Sequence, residues 1–373
     1  MENAKRNGTI DFFKFIAAVM IAAYHVARGG VFSENAGFHF FYRGYIGVEF
    51  YFIVSGYLLA AKAANNGGGS VLNANLRMIR KKFLRIFAYL YPAVLVANAI
   101  RIMMDYSPHT LAHNLLYSVP ELLNLQMLGF PTVVSIYISW FLSALMFASF
   151  LIYPLLCKCR ELLSKYIAPL FSVALYGFIM QQNGGLGNPG KWYGITFSGM
   201  LLGVAGIFWG AAYELKLHFD RLEDEDRPLL GTFEIFGYVC FLYYGIFVSI
   251  ENSADFLLLL PLLLSVSISF SNKSVLNKRF SHPAFSFMGA LSFSIYLSHG
   301  AVMLFLRDLS LGWFPLRLYA LYFAIVFSLS LFNFWVGGKL LKEVKTVRKA
   351  LALIFLLMVA AEVLRIMCNS LGV

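Results

Sequence analysis

Residues 10–59, IDFFKFIAAVMIAAYHVARGGVFSENAGFHFFYRGYIGVEFYFIVSGYLL, hold two apolar segments that carry groups hydrocarbon should expel. Lys14 and His25 sit inside the first segment and Glu49 inside the second. An ionisable side chain at membrane depth costs several kcal/mol and is tolerated mainly where it faces a polar cavity, so these three residues open the search for a site. Lys14 and His25 are eleven positions apart. At the helical turn per residue they project within about 20° of each other, and Asp11 falls on the same stripe. Ala18 and Ala22 fill the stripe between them, leaving room beside the helix for another backbone or a slender ligand. Asp11 and Lys14 also suit a plain membrane boundary, with Lys14 snorkelling outward.

Working outward, the composition sets the class. The chain has 373 residues, is 60% hydrophobic and 13% charged, and has a mean hydropathy of +0.71. A soluble domain could not hide so much apolar surface, so an all-α, polytopic membrane protein is expected. Lys5-Arg6 before an apolar run imitates a secretory signal, but the run carries Lys14 and His25 and many further spans follow it. Apolar stretches near the length needed to cross a bilayer number eleven, at about 10–28, 46–63, 86–104, 136–157, 167–181, 193–213, 229–250, 255–271, 284–304, 316–337 and 350–370. Basic residues crowd the connections that share a side with the N-terminus, notably 77–85, 158–165, 273–279 and 339–349, which places the N-terminus in the cytoplasm. That topology also accounts for the net charge of +11, so nucleic-acid binding is not expected.

No internal repeat or appended soluble region is legible, and a single membrane domain over 1–373 is expected, with a core at about 8–340 and an extra C-terminal helix at about 350–370. The longest external connection, 105–135, carries Pro108, Pro120 and Pro131 and has room for an interfacial helix or a lid. The stretch 255–271 is short and its neighbour 229–250 carries Glu234, so a tilted or broken span is expected at one or the other. Cys157, Cys159, Cys240 and Cys368 have neither zinc nor disulfide spacing.

The sequence has no GxGxxG opening a nucleotide fold, no GxxxxGK(S/T), no HExxH and no GxSxG. Ser55, in Val-Ser-Gly-Tyr, is a candidate nucleophile, yet a small-small pair such as Ser55-Gly56 equally serves close helix packing or ligand passage.

Two motifs then carry a resemblance. Residues 10–25 read Ile-Asp-x-x-Lys-Phe-x-Ala-Ala followed by His25, and residues 44–58 read Gly-Tyr-Ile-Gly-Val-Glu-Phe-Tyr-Phe-Ile-Val-Ser-Gly-Tyr-Leu. Further along come Lys-Lys-Phe-Leu-Arg-Ile at 81–86, Ser-Trp-Phe-Leu-Ser-Ala at 139–144, Tyr153-Pro154, and Leu-Ser-Phe-Ser-Ile-Tyr-Leu-Ser-His at 291–299. In this order the pattern resembles the acyltransferase-3 family of integral-membrane acyltransferases. Lys14 stands where that family usually has arginine and Glu49 where it commonly has aspartate. Its Arg-x-x-Arg pair is matched by Lys82-Phe-Leu-Arg85 or by Arg77-Met-Ile-Arg80. Lysine keeps the charge but loses the planar fork.

The resemblance implies transfer of an acyl group, typically acetyl, from cytoplasmic acyl-CoA to a carbohydrate hydroxyl at or beyond the outer face of a bacterial inner membrane. Acyl-CoA is then a co-substrate, no cofactor is permanently bound, and no metal is expected. Beside that implication, the residues suggest roles. The turn Gly67-Gly68-Gly69-Ser70 followed by Arg77, Arg80, Lys82 and Arg85 suits the phosphates of coenzyme A. The stripe of Asp11, Lys14 and His25 gives the acyl arm a way inward. His25 is the expected general base, with Glu49 beside it to fix its tautomer. Tyr296 and His299 are expected at the acceptor, His299 serving either as a second proton-handling group or as an interhelical hydrogen bond. Trp140 fits packing or stacking on a sugar. A transporter or flippase of a polysaccharide would also need many spans and buried charges, although it usually shows two related halves, which this chain does not.

Overall fold

A computed structural model describes residues 6–28, 39–66, 68–104, 108–130, 138–249, 255–309 and 315–371; Lys5, Gly67 and Pro131 lie outside them. Among the described residues no strand forms, apart from an isolated antiparallel bridge between Trp192 and Phe197. In order the helices are α1 (Gly8–Arg28), α2 (Gly47–Ala64), α3 (Val71–Met104), α4 (Pro108–Tyr117), α5 (Val119–Leu122), α6 (Trp140–Leu162) and α7 (Ala168–Asn183). They continue as α8 (Ser198–Gly210), α9 (Glu214–Arg221), α10 (Arg227–Phe247), α11 (Asp255–Phe270), α12 (Leu276–Arg279), α13 (Pro283–Leu309), α14 (Pro315–Glu343) and α15 (Val347–Leu371). The protein is an all-α, polytopic membrane protein, and each apolar segment expected from sequence is occupied by a helix of its own.

Among the described residues, 9 helical stretches are long and apolar enough to cross a membrane. One of these, Trp140–Asn183, is 44 residues long. At 1.5 Å per residue it spans about 66 Å, roughly twice a hydrocarbon core, which matches the two separate spans expected there. The join is not an open loop: Cys159 leaves helical geometry (φ −132°, ψ 38°) and Leu163–Ile167 form a widened π-helical turn. The short α11, 16 residues with Pro261 inside it, falls outside the 9.

Two boundaries differ from expectation for local reasons. The third long helix begins at Val71 instead of near 86, because Ser70 caps it: its carbonyl accepts from Ala74 N at 3.0 Å and its Oγ from Asn73 N at 3.4 Å. No glycine or proline then interrupts the polar turns before Pro92. Helix α8 starts at Ser198 instead of near 193, since Gly184 (φ 75°) and Gly194 (φ 87°) bend the preceding segment through left-handed backbone.

The chain divides into two compact units. The first comprises Met1–Tyr24, His39–Leu76 and Phe147–Phe293. In it α2 and α8 meet on glycine: Gly56 lies against the Ile207 carbonyl and Gly210 against that of Ile53, so a Cβ at either would strike backbone. This is the packing reading of the Ser55-Gly56 pair. Ser172 Oγ of α7 ties to the Ala205 carbonyl of α8 at 2.9 Å, and Gly237 of α10 rests on the Pro261 carbonyl of α11. The second unit comprises His25–Phe38, Arg77–Met146 and Ser294–Val373. There α15 packs on α4 and α5, and Gly337 of α14 lies against the Tyr89 ring of α3. Leu331, Trp335, Phe355, Leu356 and Ile366 on α14 and α15 are exposed, an apolar surface suited to lipid.

Candidate active site

The second unit gathers the imidazoles. His25, in the last turn of α1, stacks on His299 of α13 with ring centroids 5.1 Å apart and planes 29° apart. His299 is fully buried. Its Nδ1 lies 3.3 Å from the Ile295 carbonyl one turn earlier, and its Nε2 has no hydrogen-bond partner among the described residues. With the proton on Nδ1 donated to that carbonyl, Nε2 presents a lone pair in an apolar setting.

Neighbouring groups hold this ring in place. Tyr322 Oη of α14 donates to the His299 carbonyl at 3.3 Å. The Tyr296 ring stands 5.7 Å from that of His299, and the Tyr296 hydroxyl donates to the Ile138 carbonyl just ahead of α6. Trp140, the first residue of α6, is partly buried and meets Phe141 edge-on, and Phe141 in turn meets Tyr296.

The first unit holds Glu49, buried in the first turn of α2. Its carboxylate accepts a hydrogen bond from the Tyr176 hydroxyl of α7. Helix packing makes room for this bond. Gly206 of α8 has no side chain to intervene, and a Cβ there would sit 3.2 Å from Glu49 Oε2 and 3.1 Å from the Tyr176 hydroxyl. Asp11, also buried, pairs with Arg6 Nε at 2.8 Å and with Lys14 Nζ at 3.7 Å. The Lys14 carbonyl accepts from the Tyr51 hydroxyl at 2.6 Å. Ala18 and Ala22 are fully enclosed. Ser55 is partly buried within α2.

A family model described as an acyltransferase domain, that of the acyltransferase-3 family, matches residues 7–336. The chain belongs to the acyltransferase-3 family. It is a membrane acyltransferase. No match was found among curated proteins or among solved structures. The matched residues hold both imidazoles, Glu49 and the basic turns of α3, while α15 lies beyond them.

In this acyltransferase the basic residues read as part of a flexible connection stand on the rigid N-terminal half of α3. Arg77, Lys81 and Arg85 recur at every fourth position and are all exposed, which makes one ridge of positive charge. Arg80 is exposed and reaches the Lys345 carbonyl at 3.4 Å, and Lys82 is partly buried. Gly68 (φ 81°) keeps the turn before the helix.

The sequence reading missed three groups. Tyr176 carries no signal of its own in an apolar helix. Glu121, fully buried on α5, accepts from Ser139 Oγ at 2.5 Å, inside the external connection read as having room for an interfacial helix or a lid. Asp255 is enclosed at the start of α11, taking Tyr45 Oη at 2.7 Å, Tyr244 Oη at 2.5 Å and Leu186 N at 2.8 Å, with Arg43 Nη1 at 3.4 Å. Desolvation opposes the charge on Arg43, but Tyr45 and Asp255 beside it raise its pKa above the usual guanidinium value.

Proposed function

We propose that this membrane acyltransferase moves an acyl group, most simply acetyl, from cytoplasmic acyl-CoA to a hydroxyl of a carbohydrate of the cell envelope. The observation that carries the reading is the stacked pair of imidazoles, His25 partly buried and His299 fully buried with one ring nitrogen left open to a ligand. His25 takes the proton of the acceptor hydroxyl as its oxygen attacks the thioester carbonyl. The carbon–sulfur bond then breaks, and the imidazolium returns the proton to the departing thiolate, so thioester and alcohol become ester and thiol. His299, fixed by Ile295 and Tyr322, orients the acceptor hydroxyl. Arg77, Lys81, Lys82 and Arg85 attract the phosphates of coenzyme A, and a rigid ridge holds them at less entropic cost than a loose loop. Glu49 is assigned to the packing of α2 against α7, through Tyr176.

The test uses the purified full-length chain in sealed, oriented vesicles, with acetyl-CoA on one side only. Acetyl-CoA should be consumed from the side of the N-terminus, and replacing both Lys82 and Arg85 by alanine should raise the apparent KM for it by about tenfold, less so in high salt. Glycan movement across the membrane with no acetyl-CoA consumed would overturn the reading in favour of a transporter. Activity from the opposite side alone would move the donor site off α3.

A further inference from the structure

We infer that Asn124 and Gln126, between α5 and α6, form the subsite that grips the hydroxyl groups of the acceptor. The inference rests on the carbohydrate-acceptor reading above and adds the residues that would recognise it. Asn124 is fully buried, and neither its Oδ1 nor its Nδ2 has a hydrogen-bond partner among the described residues. Gln126, 7% exposed, leaves its Oε1 equally unpartnered. Buried polar atoms are ordinarily paired, so three open amide atoms within three residues mark a place built to meet a polar ligand.

The chemistry of the atoms selects the ligand. A carboxamide offers a donor and an acceptor side by side, which complements adjacent hydroxyls, each able to donate and accept. An anionic ligand is disfavoured, because the carboxylate of Glu121 lies in the same segment. The backbone agrees. Asn124 has φ 58°, a conformation that glycine adopts more easily and that Gly129 supplies five residues later with φ 82°. A turn alone would be served at least as well by glycine, so the amide of Asn124 has a separate use.

This segment is also tied to the imidazole pair. Gln126 Nε2 donates to Ser139 Oγ at 2.9 Å, and Ser139 Oγ donates to Glu121. The residue before Ser139 is Ile138, whose carbonyl receives the Tyr296 hydroxyl, and the Tyr296 ring faces His299. Gln126 and Tyr296 are therefore anchored to two consecutive residues, Ser139 and Ile138, which ties this segment to the neighbourhood of His299.

The experiment takes the full chain in detergent with acetyl-CoA, and offers the methyl glycosides of glucose, galactose, mannose and rhamnose, with cyclohexylmethanol as a mono-alcohol control. Ester formation is followed by mass spectrometry. Asn124→Gly keeps the backbone and removes the amide, and should raise the glycoside KM by about tenfold, the scale of one or two lost neutral hydrogen bonds, while the acetyl-CoA KM stays where it was. Glycosides should also raise the unfolding temperature of the wild type but not of the variant. If Asn124→Gly does not fold, Gln126→Met decides by the same two readouts. A glycoside KM unchanged in the variant overturns the subsite and leaves the carbohydrate reading standing. A wild-type chain that esterifies cyclohexylmethanol but no glycoside overturns the carbohydrate reading, and the subsite with it.

Discussion

Glu234 and His299 are both fully buried in apolar helices, yet their surroundings are opposite. The Glu234 carboxylate of α10 is saturated: Oε1 accepts from Ser269 Oγ at 2.8 Å and Ser274 Oγ at 2.7 Å, and Oε2 from the backbone N of Val275 at 3.0 Å and of Leu276 at 3.3 Å. The ring of His299 keeps one nitrogen with no hydrogen-bond partner among the described residues. A carboxylate with every lone pair taken is a fastener between helix ends, whereas an open ring nitrogen beside a second imidazole is poised for a ligand. Burial of a polar group in a membrane helix thus does not identify chemistry; the state of its hydrogen bonds separates a brace from a site.

The contrast breaks most visibly at His25. His25→Ala should lower the rate of acyl transfer by about 10²–10⁴, the usual contribution of a positioned general base, with expression and detergent elution unchanged. Initial rates of coenzyme A release measure it, and a variant with wild-type turnover would remove His25 from the chemistry. On the saturated side the effect should fall on stability instead. Glu234→Ala takes the acceptor from the backbone N–H groups of Val275 and Leu276, each worth about 1–3 kcal/mol when left unpaired, and one hydrogen bond each from Ser269 and Ser274. It should lower the unfolding temperature steeply, and whatever folds should retain the wild-type KM for acetyl-CoA. A stable Glu234→Ala protein with altered KM would place Glu234 in the site.

The smallest effect sharpens the position of Glu49. Glu49→Gln preserves an acceptor for the Tyr176 hydroxyl and should change turnover by less than about threefold, since a brace needs only the hydrogen bond. Tyr176→Phe should destabilise by about 1–2 kcal/mol through the carboxylate oxygen it leaves unpaired. If instead Glu49→Gln stopped turnover in a folded protein and changed its pH profile, the carboxylate would belong with His25, as the first expectation had it.

Sequence alone determined the class of this protein, its succession of apolar helices and, through the motifs around His25 and Glu49, its family. Those features are local: hydrophobic length and helical spacing follow from residues near one another in the chain. The pairing of His25 with His299, residues far apart in sequence, was within reach only as two separate candidates, because nothing in the local pattern says which helices become neighbours. The bond between Tyr176 and Glu49 was out of reach for the same reason, since it depends on Gly206 of a third helix leaving room for it. Asn124 and Gln126 were invisible in the external connection 105–135, where no local pattern singles out an amide. Only the tertiary structure could show that they are buried with open valences, since burial and hydrogen-bond satisfaction depend on what the rest of the chain places around a side chain.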